Sequence, residues 1–593
     1  MGIYWSTNVM AIKKSNKLVP DNDICIKGSV HLSSDKSLSI RSVLFASIAY
    51  GISRVKINNP GQDALTSIMA IQELGIKVNK SNDQYTIYGL GIGYPSLKKR
   101  LLINCRNSGT TLRLITPLIA GSKVNAKIIG DHSLSKRPYR LEFLKEFLMN
   151  VKPTKKKFLP LMINGHANCV KAEIKINKPS AQMVSAATLA GISSFGETII
   201  ECPNNVRDHT SRMLKYLGYS IKTKNFRKKQ TIKILGKQFL QPIKNYEVPS
   251  DVSSSAFLIC IAILTKGSNI KIKNVCLNPH RIGFIKILKR MGANIKFQNL
   301  KQYYGEPVGD VIAMYSPNLK GVNIKSNEIA GIIDEVPVLL VVSLFCKSKS
   351  KFNNLSELKY KESDRLKVMY DNLRLCGAEI KREKDNLIIY GKTENFYSNN
   401  IPIIKNFNKD HRIAMAFYVL ASASRKKIQI NDFNCTNISF PNFLETIENV
   451  RDKSVKKIIV ACDVNNSLCG RSGASYIFAP QKGATPKMIK TLDDNLKHLS
   501  KIIKKSLKRD VIKLKGGGAA GGLGAGLVAF TKASMKSGIE IVIEASNIRK
   551  HMKNADLVIT GEGRVDSQTA FGKTPSGVAK TAHKYRIPTI VIG

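Results

Sequence analysis

Short polar clusters, each followed by an apolar run with helical spacing, recur six times before about residue 450. Each run is rich in Ala, Leu, Ile or Val, so each cluster predicts the first turn of a helix. Polar side chains suit that position because the first backbone N–H groups of a helix have no partner inside it. The clusters are Asp35-Lys36-Ser37, Asn107-Ser108-Gly109-Thr110, Ser180-Ala181-Gln182, Asp251-Val252-Ser253-Ser254, Asp334-Glu335 and Asp410-His411-Arg412.

The clusters begin about 70 to 85 residues apart, and this spacing indicates a sixfold internal repeat. Segments with strand-like composition lie between the helices, for example at 54–58 and 197–201. The alternation predicts an α/β protein in which six small sheet-and-helix units are grouped three to a lobe. A second helix is predicted in each unit, at 71–75, 143–149, 213–218, 287–292, 372–377 and 443–450.

Three local predictions concern single segments. We expect a short strand at 24–26 and a helix that starts at Pro138, directly after Arg137. Arg137 is then either a solvated charge at a helix start or a two-point ligand for a phosphate or carboxylate. His209 is expected to be a hydrogen-bonded loop residue rather than a catalyst, because no nucleophile pattern lies near it.

Length and composition narrow the class of protein. At 593 residues with 43% hydrophobic content, the chain can bury several cores. It has no uncharged apolar run of about 18 residues, and residues 1–10 lack the basic segment followed by an apolar segment that is typical of a signal peptide. We therefore expect a soluble, cytoplasmic protein. The eleven cysteines are scattered, and even Cys462 and Cys469 lack zinc-site spacing, so free thiols and no metal are expected.

The formal net charge of +52 raises the question of a nucleic-acid partner. Lysines are spread through every repeat and interleaved with Asn and Ile. Dispersed charge of this kind is typical of solvated faces, and it also attracts anionic metabolites. We therefore expect no nucleic-acid partner, while a basic nucleic-acid-binding protein stays open as the alternative from another class.

The densest charge lies in the fifth repeat, where Asp334-Glu335 is followed by Lys361-Glu362-Ser363-Asp364-Arg365. Carboxylates beside lysines suit a proton-transfer enzyme, because each partner shifts the pKa of the other. The same residues would also form an exposed ion-pair network, and the residues alone leave both interpretations open. In the first repeat, Lys36 and Arg41 add positive charge to a helix start that already favours anions.

Taken together, these blocks resemble the EPSP synthase (3-phosphoshikimate 1-carboxyvinyltransferase) family from about residue 13 to about residue 450. That family folds as two lobes of three βαβαββ units, which implies one lobe of residues 13–35 with 248–450 and another of residues 36–247. The related UDP-N-acetylglucosamine enolpyruvyl transferases fit less well, because the blocks at 207–210 and 361–365 are of the shikimate type. The blocks are Lys36-Ser37 with Arg41, Asn107-Ser108-Gly109-Thr110, Ser180-Ala181-Gln182, Arg207-Asp208-His209-Thr210, Lys361-Glu362-Ser363-Asp364-Arg365 and Asp410-His411-Arg412.

The resemblance implies transfer of the enolpyruvyl group of phosphoenolpyruvate to the 5-hydroxyl of shikimate 3-phosphate with release of phosphate, on the shikimate pathway to chorismate and the aromatic amino acids. Asp334 would accept the hydroxyl proton, and Lys36 and Glu362 would act at the methylene carbon and the leaving group. No cofactor or metal is implied, and a monomer is expected. Shikimate 3-phosphate would be held by Lys36, Ser37, Arg41, Ser180, Ala181, Gln182, Arg207, Asp334 and Lys361, and phosphoenolpyruvate by Lys36, Gly109, Arg137, Gln182, Arg365 and Arg412.

Three positions depart from the family pattern. Ser33-Ser34 replace the usual Pro-Gly before Lys36, Val206 stands where many members have Ser, and Ile438 stands where some have Lys. The first change affects the loop into the first helix. The second removes a hydroxyl from the shikimate 3-phosphate site, and the third affects one phosphoenolpyruvate contact.

A different kind of sequence, residues 454–593, resembles the middle of the glycerate kinase family. Its glycine-rich turns would let backbone N–H groups approach phosphate oxygens. The N-terminal part of that family is missing, and a core strand at 589–593 would lack sheet neighbours, so we expect an incomplete, inactive α/β remnant of a gene fusion. The alternative is a bifunctional protein with added glycerate kinase activity. The matching segments are 460–464, 473–475, 480–484, 516–522 and 560–566.

Overall fold

The computed structural model describes residues 17–19, 24–95, 101–391, 401–452, 458–531, 533–546, 548–552, 555–561 and 574–593. Parts of two predicted segments, 13–35 and 560–566, therefore lie outside the described residues. The chain divides into two compact units, Met1–Asp452 and Lys453–Gly593.

The first unit contains 23 strands and 13 α-helices in its described part. The strands are β1 (Lys17–Val19), β2 (Lys27–His31), β3 (Tyr50–Lys56), β4 (Val78–Ser81), β5 (Gln84–Leu90), β6 (Leu101–Asn104), β7 (Asn125–Ile129), β8 (Asn150–Lys155), β9 (Phe158–Asn164), β10 (Glu173–Lys175), β11 (Glu197–Pro203), β12 (Ile221–Phe226), β13 (Lys229–Leu235), β14 (Tyr246–Glu247), β15 (Asn269–Cys276), β16 (Asn294–Tyr303), β17 (Glu306–Met314), β18 (Asn323–Ile324), β19 (Ser350–Phe352), β20 (Ile380–Glu383), β21 (Asn386–Ile389), β22 (Ile403–Ile404) and β23 (Ile428–Ile430). The helices are α1 (Lys36–Ile48), α2 (Gln62–Glu73), α3 (Gly109–Ala120), α4 (His132–Ser135), α5 (Ala181–Ser193), α6 (His209–Tyr216), α7 (Val252–Leu264), α8 (Gly283–Arg290), α9 (Ile329–Ile332), α10 (Val336–Leu344), α11 (Arg365–Leu375), α12 (His411–Ser424) and α13 (Phe443–Val450), with 3-10 turns at Glu142–Phe147, Ser356–Tyr360 and Phe433–Ile438.

These strands form six separate small sheets. Five have four strands, in the orders β14-β3-β5-β4, β6-β7-β9-β8, β10-β11-β13-β12, β2-β15-β17-β16 and β18-β19-β21-β20, and the sixth has the order β1-β23-β22. In each four-stranded sheet the first two strands are parallel and the remaining pairings are antiparallel. The predicted repeat is thus one small sheet with its helices.

All six polar clusters open a helix, as predicted. Side-chain oxygens of Asp35, Ser108, Asp251 and Asp410 accept hydrogen bonds from backbone N–H groups in the first turn that follows. These bonds satisfy donors that the helix itself leaves free. The second predicted helix is present in five repeats, and in the sixth repeat its bounds, Phe443–Val450, are those predicted.

The helix predicted at 143–149 is wrong, and so is the one that starts at Pro138. A 3-10 turn covers Glu142–Phe147 instead. The chain cannot continue as an α-helix after Pro138, because Arg140 has a left-handed φ of 57° and the Tyr139 N–H donates to the Lys157 carbonyl at 3.0 Å.

The strand predicted at 24–26 is also misplaced, because the regular strand begins at Lys27. Ile26 makes only an isolated bridge with Arg451. Ile24, Cys25 and Ile26 are almost fully buried. Their apolar character therefore reflects packing in a core rather than a place in a sheet.

Two hydrophobic cores define two lobes in the first unit. The first lobe packs buried residues from Leu38 to Val248, and Cys276 joins them. The second lobe packs Ile24, Ile26 and Leu32 with buried residues from Val252 to Val450. The chain therefore begins in the second lobe, builds the first lobe, and then returns.

The two crossings between the lobes run side by side. Ser34 and Ser250 form an antiparallel bridge, the Asp35 N–H donates to the Pro249 carbonyl at 2.7 Å, and the Asp251 N–H donates to the Ser33 carbonyl at 3.0 Å. The Ser34 hydroxyl donates to the Val248 carbonyl at 3.1 Å and accepts from the Asn58 N–H at 2.9 Å. Ser34, one of the two residues that depart from the family pattern, thus supplies a hydroxyl that stabilises this crossing by hydrogen bonds.

A hairpin of the second lobe, between β16 and β17, packs on the first lobe. The rings of Tyr303 and Tyr304 lie 5.5 and 4.4 Å from the ring of Tyr246, measured between centroids. Gly305 follows with a positive φ, and a Cβ there would lie 2.7 Å from the Arg212 carbonyl oxygen. Only glycine therefore permits this close approach.

The second unit has small pairs of strands and several helices in its described part. Leu468, Cys469, Ile503, Val511, Ala525 and Ala529 form its larger apolar cluster. The elements are β24 (Ile459–Ala461), α14 (Ala474–Phe478), a 3-10 turn (Pro480–Lys482), α15 (Pro486–Leu507), a 3-10 turn (Ala519–Gly522), α16 (Leu523–Thr531), β25 (Ser534–Lys536), α17 (Gly538–Ala545), α18 (Ile548–Met552), β26 (Val558–Gly561), α19 (Thr574–His583) and β27 (Thr589–Ile592).

The strand predicted near the end of the sequence is present as β27, which pairs in parallel with β26. Its side chains are not in a core: Ile590 is 50% exposed and Ile592 is 58% exposed. Ile559 on β26 is 62% exposed. This two-stranded sheet therefore exposes apolar side chains, as an incomplete α/β sheet would.

All eleven cysteines are free thiols, and ten of them are buried. Among the described helices, none is both long enough and apolar enough to span a membrane.

The last residues of the first unit are expected to contribute to its stability. The Asp452 N–H donates to the Cys25 carbonyl at 2.8 Å, and loss of one such bond costs about 1 kcal/mol. A chain that ends at Asp452 should therefore melt about 1–2 °C above one that ends at Val450. Differential scanning calorimetry of the two chains tests this, and coincident transitions would contradict it.

Candidate active site

Lys36 lies in the first turn of α1, beside the crossing between the lobes. Its Nζ is 3.1 Å from Asp63 Oδ2 on α2, and its backbone N–H donates to Asp251 Oδ2 at 3.1 Å. Burial favours the neutral amine, but the charges of Asp63 and Glu362 outweigh burial and raise the pKa of Lys36. Lys36 is therefore an ammonium at neutral pH, which can hold an anion and donate a proton.

Asp334 precedes α10 and is surrounded by four cationic side chains. Arg207 Nη1 of the first lobe lies 3.0 Å from Asp334 Oδ2, while Lys361 Nζ and Arg365 Nη1 lie 3.4 and 3.5 Å from Oδ1. Arg412 Nη1 donates to the Asp334 carbonyl at 3.2 Å. Burial would raise the pKa of Asp334, but these cations hold it well below its ordinary value of 3.8. The ionised carboxylate thus links the two lobes.

Arg365 is the centre of an adjoining group of charges. Its Nε donates to Asp410 Oδ2 at 2.8 Å, and its Nη2 reaches Asp410 Oδ1 at 3.3 Å and also contacts Glu362 Oε2. Arg365 is fully buried, yet Asp410 and Glu362 offset burial and raise its pKa. The positive charges of Arg365 and Arg137 in turn keep the pKa of Glu362 well below its ordinary 4.5, although burial acts in the opposite direction.

His411 is buried at the start of α12, next to these charges. Within the described ranges, neither ring nitrogen has a hydrogen-bond partner. Burial and the nearby charge of Arg412 lower its pKa well below 6.5. A neutral imidazole with two unpaired nitrogens is suited to contact a bound molecule.

Arg137 and Gln182 lie near the start of α3. Arg137 Nη2 donates to Asn107 Oδ1 at 2.6 Å and to Ser133 Oγ at 2.8 Å. Gln182 Nε2 donates to Thr110 Oγ1 at 3.0 Å. Arg137 is therefore held by neutral side chains beside the start of α3.

Arg41 is held inside the first lobe by three hydrogen bonds. Its Nε donates to Thr210 Oγ1 at 2.9 Å, its Nη1 to the Ser37 carbonyl at 3.0 Å, and its Nη2 to Ser185 Oγ at 3.0 Å. Burial lowers the pKa of Arg41 to about 10, which still leaves a cation at neutral pH. The Ser180 hydroxyl makes no capping bond to α5.

A buried polar network joins the lobes behind the site. His209 Nδ1 lies 2.7 Å from Glu306 Oε1, and its Nε2 lies 3.2 Å from Arg281 Nη1. Because arginine can only donate, Nε2 accepts and Nδ1 carries the proton. The prediction that His209 is hydrogen-bonded is confirmed, but its expected place in a loop is wrong, because His209 is the first residue of α6. Arg281 Nη2 also lies 3.1 Å from Asp35 Oδ2 and 3.6 Å from Asp251 Oδ1.

Glu335 is buried beside the catalytic candidate Asp334 without a hydrogen bond to either of its carboxylate oxygens in the part of the chain that the structure describes. Arg412 Nη1 lies 3.7 Å from Oε1. This attraction does not offset burial, which raises the pKa of Glu335 above its ordinary 4.5.

The structure brings the predicted residues into two connected groups. In the first group Asp334 contacts Arg207, Lys361, Arg365 and Arg412, and Glu362 joins this group through Arg365. Gly109, Arg137 and Gln182 gather around the start of α3, with Arg113 among them. The electrostatic effects of Glu362 on Lys36 and of Arg137 on Glu362 link the two sides.

Several residues of the site escaped the sequence argument. Arg113 lies one turn inside α3, and Asp63 lies in the first turn of α2, so only their spacing from a known helix start could have drawn attention to them. Arg281 and Glu306 lie in segments without a local pattern. Their importance comes from the meeting of two lobes, which no short motif encodes.

Comparisons with known proteins agree with this geometry. The family model for EPSP synthase (3-phosphoshikimate 1-carboxyvinyltransferase) matches residues 22–447, and the glycerate kinase family model matches residues 437–593. A 3-phosphoshikimate 1-carboxyvinyltransferase from Caldicellulosiruptor bescii is 36% identical over 432 residues, which cover 71% of this chain and 96% of that protein. The enzyme of that name from Thermodesulfovibrio yellowstonii is 37% identical over 432 residues, covering 71% and 97%.

Solved structures share the fold. The structure of EPSP synthase from Acinetobacter baumannii has a TM-score of 0.65 at 32% identity, covering 74% of this chain and 98% of that one. The enolpyruvyl transferase NikO from Streptomyces tendae has the same fold, with a TM-score of 0.58 at 14% identity, covering 74% and 98%.

Two lobes of three sheet-and-helix repeats, with a cation-rich site where helices of both lobes begin, are the architecture of an enolpyruvyl transferase. More narrowly, the chain belongs to the EPSP synthase family. The resemblance inferred from the sequence is thereby confirmed, as is the presence of a glycerate kinase-like segment.

Replacement of Glu335 by Gln should stabilise the protein at neutral pH. Because the pKa of Glu335 is raised in the folded state, the folded state loses stability as pH rises above the unfolded value, near 4.5. Gln does not titrate, so the variant should melt above the parent at pH 7, with a smaller difference at pH 4. Thermal unfolding at both pH values tests this. An equal difference at the two values would contradict the assigned pKa shift.

Proposed function

We propose that the first unit transfers the enolpyruvyl group of phosphoenolpyruvate to the 5-hydroxyl of shikimate 3-phosphate and releases phosphate. The observation that carries this proposal is the ionised Asp334 carboxylate, held among Arg207, Lys361, Arg365 and Arg412. Each substrate carries a phosphate and a carboxylate. Their negative charges complement the cations, while Asp334 supplies a base among them.

During the reaction the methylene carbon of phosphoenolpyruvate first gains a proton and later loses one. Protonation of the methylene carbon of phosphoenolpyruvate makes the adjacent carbon electrophilic, and the 5-hydroxyl oxygen bonds to that carbon as it loses its proton. The tetrahedral intermediate then breaks its carbon–oxygen bond to phosphate. Loss of a proton from the new methyl group restores the double bond.

In this proposal Asp334 accepts the hydroxyl proton, and Lys36 and Glu362 serve the methylene carbon and the leaving phosphate. The depressed pKa of Asp334 makes it a weak base while the site is empty of anions. Bound phosphate and carboxylate groups share the field of the four cations, which raises the basicity of Asp334 when a substrate is present.

The binding roles follow the two groups of residues. For shikimate 3-phosphate, we propose Lys36, Ser37, Arg41, Ser180, Ala181, Gln182, Arg207, Asp334 and Lys361. For phosphoenolpyruvate, we propose Lys36, Gly109, Arg137, Gln182, Arg365 and Arg412. The buried but unpartnered Nη2 of Arg207 is a donor that remains for a ligand in the described structure.

We also propose a monomeric, cytoplasmic enzyme with one domain of residues 13–35 and 248–450, another of 36–247, and a third of 454–593. The two hydrophobic cores and the compact unit that ends at Asp452 support these boundaries.

Asp334→Asn should lower kcat at least about 100-fold, as loss of a positioned general base typically does. The variant should fold, because Asn has the shape of Asp and its amide oxygen still accepts hydrogen bonds at one of the two oxygen positions. Phosphate release with both substrates measures the effect, and Asp371→Asn, at an exposed position of α11, is the matched control. Near-parental turnover of the Asp334 variant would remove this residue from the mechanism.

The second unit should not phosphorylate glycerate. A Cβ at Gly518 would lie 2.3 Å from the Ser467 carbonyl oxygen, and one at Gly516 would lie 2.8 Å from Cys462 Sγ, so these glycines permit close packing within the unit. Asp463 Oδ1 accepts from the Gly538 N–H at 2.7 Å and holds the start of α17. A glycerate-dependent ATPase signal from the full chain, abolished by Asp463→Ala, would show a bifunctional protein instead.

A further inference from the structure

Arg113 is a buried cation without a carboxylate partner among the described residues. It lies one turn into α3, and the residue is 9% exposed. Burial, with the nearby positive charges of Arg137 and Arg140, lowers its pKa to about 10. A buried guanidinium that contacts only neutral groups costs free energy of folding, so stability alone does not account for its place.

The three hydrogen bonds of Arg113 reach three separate parts of the site. Its Nη1 donates to the Gly109 carbonyl at 3.1 Å and to Gln182 Oε1 at 2.9 Å. Its Nη2 donates to the Pro138 carbonyl at 2.9 Å. Pro138 directly follows Arg137, so one guanidinium holds the backbone at Gly109, the backbone next to Arg137 and the side-chain amide of Gln182. All three residues are proposed to hold phosphoenolpyruvate.

The contact with Gln182 decides which way that side-chain amide points. Because Arg113 can only donate, the atom that faces it must be the amide oxygen. The Gln182 Nε2 atom then lies on the other side, where one of its N–H groups donates to Thr110 Oγ1 at 3.0 Å. Its second N–H has no partner within the described residues and is free to donate to an anionic oxygen.

The absence of a side chain at Gly109 leaves room for the same guanidinium. A Cβ built at Gly109 would lie 2.8 Å from Arg113 Nη1, closer than side chains allow, so any larger residue would displace Arg113. The glycine at the start of α3 thus leaves room for the Arg113 guanidinium. It also lets a ligand approach the backbone closely.

We propose that Arg113 is a positioning residue, which orients the Gln182 amide and the Arg137 segment toward phosphoenolpyruvate. This inference rests on the proposed function. Arg113 need not touch the substrate, since it acts through Gln182 and the backbone at Gly109 and Pro138.

Steady-state kinetics with both substrates test the inference on Arg113→Met, Arg113→Lys and Thr110→Val. Arg113→Met should raise KM for phosphoenolpyruvate about tenfold, the effect expected for loss of an oriented hydrogen bond. KM for shikimate 3-phosphate should change less than about threefold. Arg113→Lys should rescue little, because one ammonium cannot reproduce the fork of donors. Thr110→Val, which frees the other side of the Gln182 amide, should shift KM for phosphoenolpyruvate in the same direction.

A double-mutant cycle separates positioning from a general structural role. Because Arg113 acts partly through Gln182, Arg113→Met combined with Gln182→Ala should lose clearly less than the sum of the two single losses. Arg374→Met, at an exposed position of α11, is the control and should leave both KM values unchanged. Melting temperatures should stay within a few degrees of the parent.

The possible failures are distinguishable. No turnover of the two substrates by the parent chain would overturn the proposed function itself. An active parent whose Arg113→Met variant keeps its KM for phosphoenolpyruvate, or whose double variant shows additive losses, would overturn only the positioning role. Full rescue by Arg113→Lys would likewise overturn it, because charge alone would then suffice.

Discussion

The arrangement of the first unit depends on one buried arginine, Arg281, which contacts the carboxylates at both crossings of the chain. Asp35 caps α1 of the first lobe, and Asp251 caps α7 of the second. Both crossings therefore meet at one guanidinium, although more than 200 residues separate them in sequence. Removing one member would leave a charge buried without its partner, which typically costs about 3–5 kcal/mol. The relative placement of the two helix starts, and hence of Lys36, follows from this contact.

The cationic side chains of the site outnumber the carboxylates near them, which suits the binding of anionic ligands. Arg41, Arg113 and Arg137 make hydrogen bonds mainly to neutral groups, whereas Arg207, Lys361, Arg365 and Arg412 share the Asp334 carboxylate. Positive charge therefore exceeds nearby negative charge. A pair of anionic substrates restores the balance, and exclusion of water strengthens each contact as it forms.

The sequence was most informative where local chemistry is self-contained. Helix starts such as those at Asp35 and Asp410 could be predicted because a capping side chain bonds to backbone within its own first turn. The segment after Pro138 could not, because its shape is set by a bond from Tyr139 to the distant Lys157. Arg281 and Glu306 were missed for the same reason, since their partners lie in another lobe. The family blocks supplied the residues proposed to react, but they do not reveal the side chains that position them.

The crossing of the chain also has a consequence for its synthesis on the ribosome. Strand β2 pairs with β15, which is translated about 240 residues later. At 5–20 residues per second, β2 waits roughly 12 to 50 seconds for its neighbour. An apolar strand exposed for so long would invite wrong pairings, but β2 reads Lys-Gly-Ser-Val-His and stays mostly exposed even when folded. Its polar composition allows the nascent chain to keep this edge open until the second lobe emerges.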